Sequence, residues 1–287
     1  MHTRLGFYLR EQLQLRQTAV MYRLGRQRFQ PEQFEIVPIT VAIPGLDAAF
    51  AGYRLVQISD IHMGHWVTAE RLQGIVQLVN AQSPDAIAIT GDFVSYVLDG
   101  VLAELAAGLG QLRAKDVVTA VMGNHDHWLD VRQVRQTLAD AGIIELQNDV
   151  YTVRRGAARS RFGFAVLHFA GVDDIMVGQD NLEAVLAKLP DEGPAILLAH
   201  EPDFADISAA TGRFALQLSG HSHGGQVVLP RFGPPRGPLF KKYPNGRYQV
   251  SQMIQYTNRG LGTHTFRLRI NCKPEITVFT LRGDSEK

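Results

Sequence analysis

The chain has 287 residues, of which 45% are hydrophobic and 20% charged, with a formal net charge of +1. That balance describes an ordinary globular protein of one large domain or two small ones, and it excludes a disordered chain and a uniformly basic nucleic-acid binder. A lone cysteine, Cys272, excludes an internal disulfide and a thiolate-rich metal site, so any transition-metal site must use carboxylates and the ten histidines.

Residues 1–30 lack the apolar centre of a secretory signal, and no window reaches the roughly 18 apolar residues of a membrane span. The segment carries Arg4, Arg10, Arg16, Arg23, Arg26 and Arg28 against one acid, Glu11. Read as a helix, it places Leu5, Leu9, Leu13, Val20 and Leu24 on one side, with Arg16 and Arg23 intruding on that stripe. Two readings follow: a solvated helical arm packed on the domain, or a peripheral anchor on anionic lipid. We expect residues 1–33 to form a basic helical arm and residues 34–287 one domain. The expected location is cytoplasmic, at the inner-membrane surface if the arm binds lipid.

Pro31 and Pro38 bracket an extended segment, Phe34–Val37, and Ile39–Ile43 reads as a strand. Tyr53–Ile58 is a second strand, ending at Ser59-Asp60. Helical spacing follows over residues 69–81. Ala86–Thr90, stopped by Gly91, is a continuous apolar run of the kind buried on both faces of a sheet. Leu98–Leu112 is helical, Val117–Val121 repeats the buried-strand pattern, and residues 130–141 form another helix. Short strands at Val150–Val153 and Phe162–Phe169 flank a basic turn, Arg154-Arg155-Gly156. Leu182–Leu189 is helical, Ala195–Ala199 is an apolar strand ending at His200, and Phe214–Leu218 precedes Gly220-His221-Ser222-His223. After residue 225 the expected strands are Val227–Leu229, Met253–Thr257 and Ile276–Leu281. Alternating strands and helices followed by strands predict an α/β fold, a four-layer α-β-β-α sandwich of two packed mixed sheets.

Polar residues gather where the apolar strands stop: Asp60-x-His62, Gly91-Asp92, Gly123-Asn124-His125-Asp126, His200 and His221-x-His223. Sites in α/β sheets form beyond the carboxyl ends of strands, where loops converge. Any one of these aspartates is ordinarily a turn or helix cap, and His168, inside an apolar run, reads as a satisfied core histidine. Their joint occurrence points to chemistry. Two aspartates, one asparagine and four histidines, leaving His125 and Asp126 aside, make a sulfur-free set suited to Mn, Fe or Zn, with Mn favoured, and large enough for two ions. Two ions about 3.5–4 Å apart need a bridging carboxylate, and Asp92 is the natural bridge.

In order and spacing, these five blocks resemble the calcineurin-like metallophosphoesterases, and within them the bacterial branch of small phosphodiesterases typified by YkuE and YaeI. The motifs run from residue 60 to 223, and the sheet pattern carries the likeness over about residues 50–281. Gly220–Gln226, Asn258–Gly262 and Pro274-Glu275 carry the likeness to that branch. The resemblance implies that Asp60, His62 and His223 hold one divalent ion, that Asn124, His200 and His221 hold the second, and that Asp92 bridges. It implies an activated bridging hydroxide attacking phosphorus, with His125 as general acid for the leaving group. The phosphoprotein phosphatases of this superfamily carry an Asp-Arg pair after the bridging aspartate. Here the positions read Phe93-Val94-Ser95-Tyr96, which leaves His125 without an evident aspartate partner and argues against that branch.

The expected substrate is a phosphodiester or pyrophosphate, with a lipid-linked one among the options and nucleic acid unexpected. Arg236 and Lys241, in a basic, aromatic and proline-rich segment from Arg231 to Arg247, and Arg259 in a glycine-flanked turn are candidate substrate contacts. His65, His127 and His264 lie near the motifs as candidate cleft residues. Two alternatives stand beside the phosphodiesterase. One is a UDP-2,3-diacylglucosamine pyrophosphatase acting on a lipid A precursor, although the widespread enzymes of that reaction resemble a subfamily with arginine where this chain has His125. The other is a catalytically silent metal-binding scaffold, whose signature would be loss of His125 or Asp92; both are present.

Overall fold

The computed structural model describes residues 4–23, 28–156, 163–264 and 266–283. The predicted positions Leu24, Arg26 and Phe162 lie outside them. The strands are β1 (Glu35–Ala42), β2 (Arg54–Ile58), β3 (Ala86–Thr90), β4 (Val117–Val121), β5 (Ile144–Glu145), β6 (Asp149–Arg155), β7 (Ala165–Gly171), β8 (Ala195–Leu198), β9 (Leu216–Ser219), β10 (Gly246–Val250), β11 (Met253–Thr257) and β12 (Glu275–Arg282). The helices are α1 (Arg4–Arg23), α2 (Ala69–Asn80), α3 (Val101–Leu109), α4 (Asn124–Trp128), α5 (Val131–Asp140), α6 (Leu182–Lys188) and α7 (Ala205–Ala210).

Two six-stranded sheets result, ordered β1-β12-β2-β3-β4-β5 and β10-β11-β9-β8-β7-β6. Each is mixed: β12 runs antiparallel to β2 but parallel to β1, and β6 and β10 run antiparallel to their neighbours. The sequence dictates the layering. On β3, Ile87 and Ile89 pack against α2 and α3, whereas Ala86 and Ala88 face the second sheet. On β8, Ile196 and Leu198 face the first sheet, and Ala195 and Leu197 pack toward α6 and α7. Strands covered on both sides read as unbroken apolar runs because neither face meets water. The architecture is the expected four-layer α-β-β-α sandwich.

Several local expectations are corrected. Pro38 does not divide the first strand: β1 is a sheet edge, where a residue without an N–H is tolerated. Helix α3 is shorter than Leu98–Leu112, beginning only after Gly100. Val227–Leu229 forms no strand; Val227 makes one bridge to Ile270 and Leu229 one to Gly233. The following prolines, Pro230, Pro234 and Pro235, supply no N–H groups to extend a ladder. Strands β5 and β10 and helices α4 and α7 are additional to the predicted set.

Among the described side chains of helix α1, polar ones reach the domain. Gln14 is buried and accepts from the Tyr96 backbone N–H, Arg10 donates to the Tyr96 hydroxyl at 3.1 Å, and Gln17 meets His65 at 3.3 Å. Among the described residues no helix is long and apolar enough to cross a membrane.

Candidate metal centre

The parallel strands β2, β3, β4, β8 and β9 all end at one edge of the sandwich, and the predicted ligands leave from those ends. Backbone bonds continue past the strands and fix them: Asp60 N–H donates to Gly91 O, and His62 N–H to Asp92 O. The sheets are tied across the gap by the Gln57 amide to Ser219 O at 2.9 Å and by His200 Nδ1 to Thr90 O at 2.7 Å. Close approach needs glycine. A Cβ on Gly220 would overlap Ser59 and the Asp60 carboxylate, and one on Gly91, held at φ +88°, would strike His200.

Five of the seven predicted ligands, Asp60, His62, Asp92, His221 and His223, adopt positive φ. Left-handed backbone at non-glycine residues costs about 1–3 kcal/mol each and persists where the surroundings over-determine it, typically at functional sites. His221 and His223 are both left-handed, in a tight turn after β9, and not on the extended backbone that a strand end suggests. The turn sends the imidazoles to different neighbours. His221 Nδ1 lies 2.9 Å from Asn124 Oδ1, with its ring 5.0 Å from that of His200. His223 Nε2 lies 3.0 Å from His62 Nε2 and 3.4 Å from Asp60 Oδ1.

Asp92 stands between the two groups. Its Oδ2 is 3.5 Å from His62 Nε2 and 3.4 Å from His200 Nε2, and its Oδ1 accepts the His125 backbone N–H at 2.9 Å. Asp60, His62, Asp92 and His223 are all buried and bring one ligating atom each within 4.8 Å of one another. Burial pushes the Asp60 carboxyl up to about 7, with Asp92 adding and His200 opposing. Burial also disfavours charge on Asp92, but His200, His125 and His62 outweigh it and hold that carboxyl well below the usual range. His62 and His223 are driven toward neutrality by burial first, then His62 by His125 and His223 by His62. Burial and His200 push His221 down to about 3.

The residues fit a divalent cation on a specific observation. His200 gives its Nδ1 proton to the Thr90 carbonyl, which leaves the buried Nε2 without a hydrogen-bond partner and facing Asp92 Oδ2. An imidazole lone pair and a carboxylate oxygen repel unless a cation lies between them. In its absence a proton substitutes: burial opposes charge on His200, yet Asp92 raises its pKa well above the usual value.

His125 is buried in an aromatic enclosure, with ring centroids 4.5 Å from Trp128, 4.7 Å from His62, 5.0 Å from His264 and 5.1 Å from Tyr96. Its Nδ1 lies 3.1 Å from the Ser95 carbonyl, so Nδ1 carries a proton and Nε2 is left for the cavity. A backbone carbonyl thus orients the ring where no aspartate was evident in the sequence. Asp126 accepts from four backbone N–H groups, those of Asp92, Phe93, Val94 and Gly123, and clamps the β3 and β4 loops together.

A cavity of about 440 Å³ opens over Asp92, Asn124, His125, His221 and His223. Trp128, Met176, Pro235, Pro238, Phe240 and Phe266 supply its apolar wall; Pro235, Pro238 and Phe240 come from the aromatic, proline-rich segment singled out in the sequence, and the other three were unforeseen. Trp128 follows His125 by one turn of α4, which the Gly-Asn-His-Asp run disguised as a loop. His264 lines the cavity and bonds Tyr96 at 3.0 Å.

Other candidates lie elsewhere. Arg259 is committed to Glu275 and, at 2.9 Å, to Glu35, and it borders a separate cavity of about 650 Å³; the expectation of a substrate contact is corrected. Arg236 and Lys241 are exposed on the loop whose prolines and Phe240 form the wall, and neither lines the cavity itself. His65 bonds Thr263, and His127 bonds Asp173 at 2.7 Å. His168 is satisfied by Thr152 and Glu192 O, as a core histidine should be.

Comparison with known proteins agrees with this geometry. The chain is 35% identical over 263 residues to the uncharacterized metallophosphoesterase YkuE of Bacillus subtilis, covering 88% of this chain and 87% of that one. It is 29% identical over 257 residues to the phosphodiesterase YaeI of Escherichia coli, covering 88% and 90%. A transmembrane protein with metallophosphoesterase domain from Danio rerio is 32% identical over 260 residues, 86% of this chain and 57% of that protein. The family model of the calcineurin-like phosphoesterases matches residues 53–225, the span that holds every predicted metal ligand and His125, and the chain belongs to that family.

Proposed function

We propose that the protein is a metal-dependent phosphodiesterase with a dinuclear centre. The observation that carries this reading is the placement of Asp92 Oδ2 within 3.5 Å of both His62 Nε2 and His200 Nε2, a carboxylate oxygen shared by two sets of ligands. Asp60, His62 and His223 would hold one ion and Asn124, His200 and His221 the other, with Asp92 common to both. Two such ions, Mn being the favoured identity for this nitrogen- and oxygen-rich set, supply Lewis acidity and lower the pKa of water toward about 7.

The chain's own residues do the rest. Ser95 holds the His125 ring so that Nε2 faces the substrate, and the protonated imidazole gives that proton to the departing oxygen. Burial lowers the pKa of His125, so its charged form is a minor species near pH 7 and a correspondingly stronger acid where it is populated. Trp128, Phe240 and Phe266 exclude water and favour an ester with an apolar substituent. A diester fits this wall better than a phosphomonoester, because the second substituent has a surface to occupy.

The test is hydrolysis of a panel of aryl diesters, cyclic nucleotides, nucleoside-diphosphate lipids and glycerophosphodiesters by protein reloaded with Mn²⁺. The aryl diester should be cleaved, and chelation should abolish turnover. Cleavage of monoesters alone, or turnover that survives chelation, would end this reading.

A further inference from the structure

Among the described side chains of helix α1, polar groups meet the domain and several apolar ones meet water, unlike those of an ordinary surface helix. Such a helix normally turns its apolar stripe to the core and its polar residues to water. Here Arg10, Gln14 and Gln17 face the domain. Leu9, Leu13 and Val20, four and seven residues apart on one stripe beside Arg16, are left 58%, 46% and 53% exposed. Apolar area left in water at three positions of one stripe is unfavourable, and a surface that covered it would stabilise the helix.

A second exposed apolar group lies on the segments that wall the cavity. Phe232 is 84% and Phe266 65% exposed. The two groups are linked through the cavity rim: Arg10 of α1 bonds Tyr96, Tyr96 bonds His264, and Gln226 bonds the His264 and Phe266 carbonyls. Cations accompany both. Arg16 lies on the helix stripe; among the described residues the side chains of Arg231, Arg236 and Lys241 make no ion pair, although the Lys241 backbone N–H donates to Asp203 and Lys242 pairs with Asp206.

We propose that α1 and the Arg231–Lys241 loop seat the protein on an anionic lipid bilayer, with the mouth of the metal-site cavity beside the membrane. Apolar side chains flanked by unpaired cations match the headgroup and acyl boundary of such a surface. A second copy of the chain is the poorer occupant, since it would bring these like-charged groups against each other. Seating on lipid stands by itself; that the hydrolysed ester is drawn from the bilayer rests on the phosphodiesterase reading.

Flotation of the full chain with phosphatidylcholine vesicles, with and without phosphatidylglycerol, tests this. Wild type should float with the anionic vesicles and lose binding as salt rises. The triple substitution Leu9→Gln, Leu13→Gln, Val20→Gln, and separately Phe232→Gln, should each weaken binding, the triple by about tenfold or more. Both should keep wild-type turnover of a soluble aryl diester, which shows that the variants are folded. Absence of flotation, or flotation indifferent to both variants, overturns the proposal. So does a wild-type dimer that the triple variant converts to monomer. Flotation without diester hydrolysis would contradict the proposed reaction and leave the lipid seat standing, whereas hydrolysis without flotation does the reverse.

Discussion

Asp60 illustrates how one buried carboxyl couples protons to metal. Its pKa of about 7, set by burial, means the metal-free protein keeps that proton to near neutrality, and a cation must expel it. The sign follows. Metal affinity should rise with pH through about pH 7 and go on rising above it, because a cation must also expel the proton that Asp92 holds on His200, with proton release detectable by calorimetry in buffers of different ionisation heat. For the metal-free protein the same group binds its proton more tightly folded than unfolded. Its contribution to stability is therefore greatest below the unfolded carboxyl range near pH 4 and declines as pH rises toward 7. An affinity independent of pH across that window would contradict the placement of Asp60 in the site. Arg259 separates structure from chemistry in the opposite way. Because Glu275 is buried beneath it, Arg259→Gln should lower stability by about 3 kcal/mol in denaturant titration, with KM for the aryl diester unchanged.

At the scale of elements, the site depends on strands that end together and on loops that cannot move apart. Asp126 is the main fastening between the β3 and β4 loops. Asp126→Ala strands four backbone N–H groups, at about 1–3 kcal/mol for each one left buried and unpaired. The variant should unfold at clearly lower denaturant and bind metal more weakly, because Asp92 loses its support. Asp126 also shows where sequence reading stopped. The buried strands β3, β4 and β8 were legible because two-sided burial leaves an uninterrupted apolar run, and the ligands were legible because they follow those runs. The role of Asp126 was not, since accepting from Phe93 and Val94 depends on a contact between residues more than 30 apart. The same holds for Ser95, whose contribution to His125 is a backbone carbonyl that no residue pattern encodes. Arg259 misled because a glycine-flanked arginine looks alike whether its partner is a phosphate or Glu275.

For the molecule as a whole, the two sheets share one apolar layer in which Phe279, Tyr256, Leu216 and Leu55 meet. That layer sets the distance between β2–β4 on one side and β8–β9 on the other, and hence the spacing of Asp92 from His200. The metal centre belongs to neither sheet alone; it exists only where both are packed. The central claim is that this junction binds metal through the surrounding ligands while His125 works on the leaving group without holding an ion. The most direct test measures bound Mn²⁺ and aryl-diester turnover on the same His125→Ala sample. His125→Ala should keep wild-type metal content while turnover falls by about 10²–10⁴-fold. Loss of metal, or turnover close to wild type, would contradict that claim.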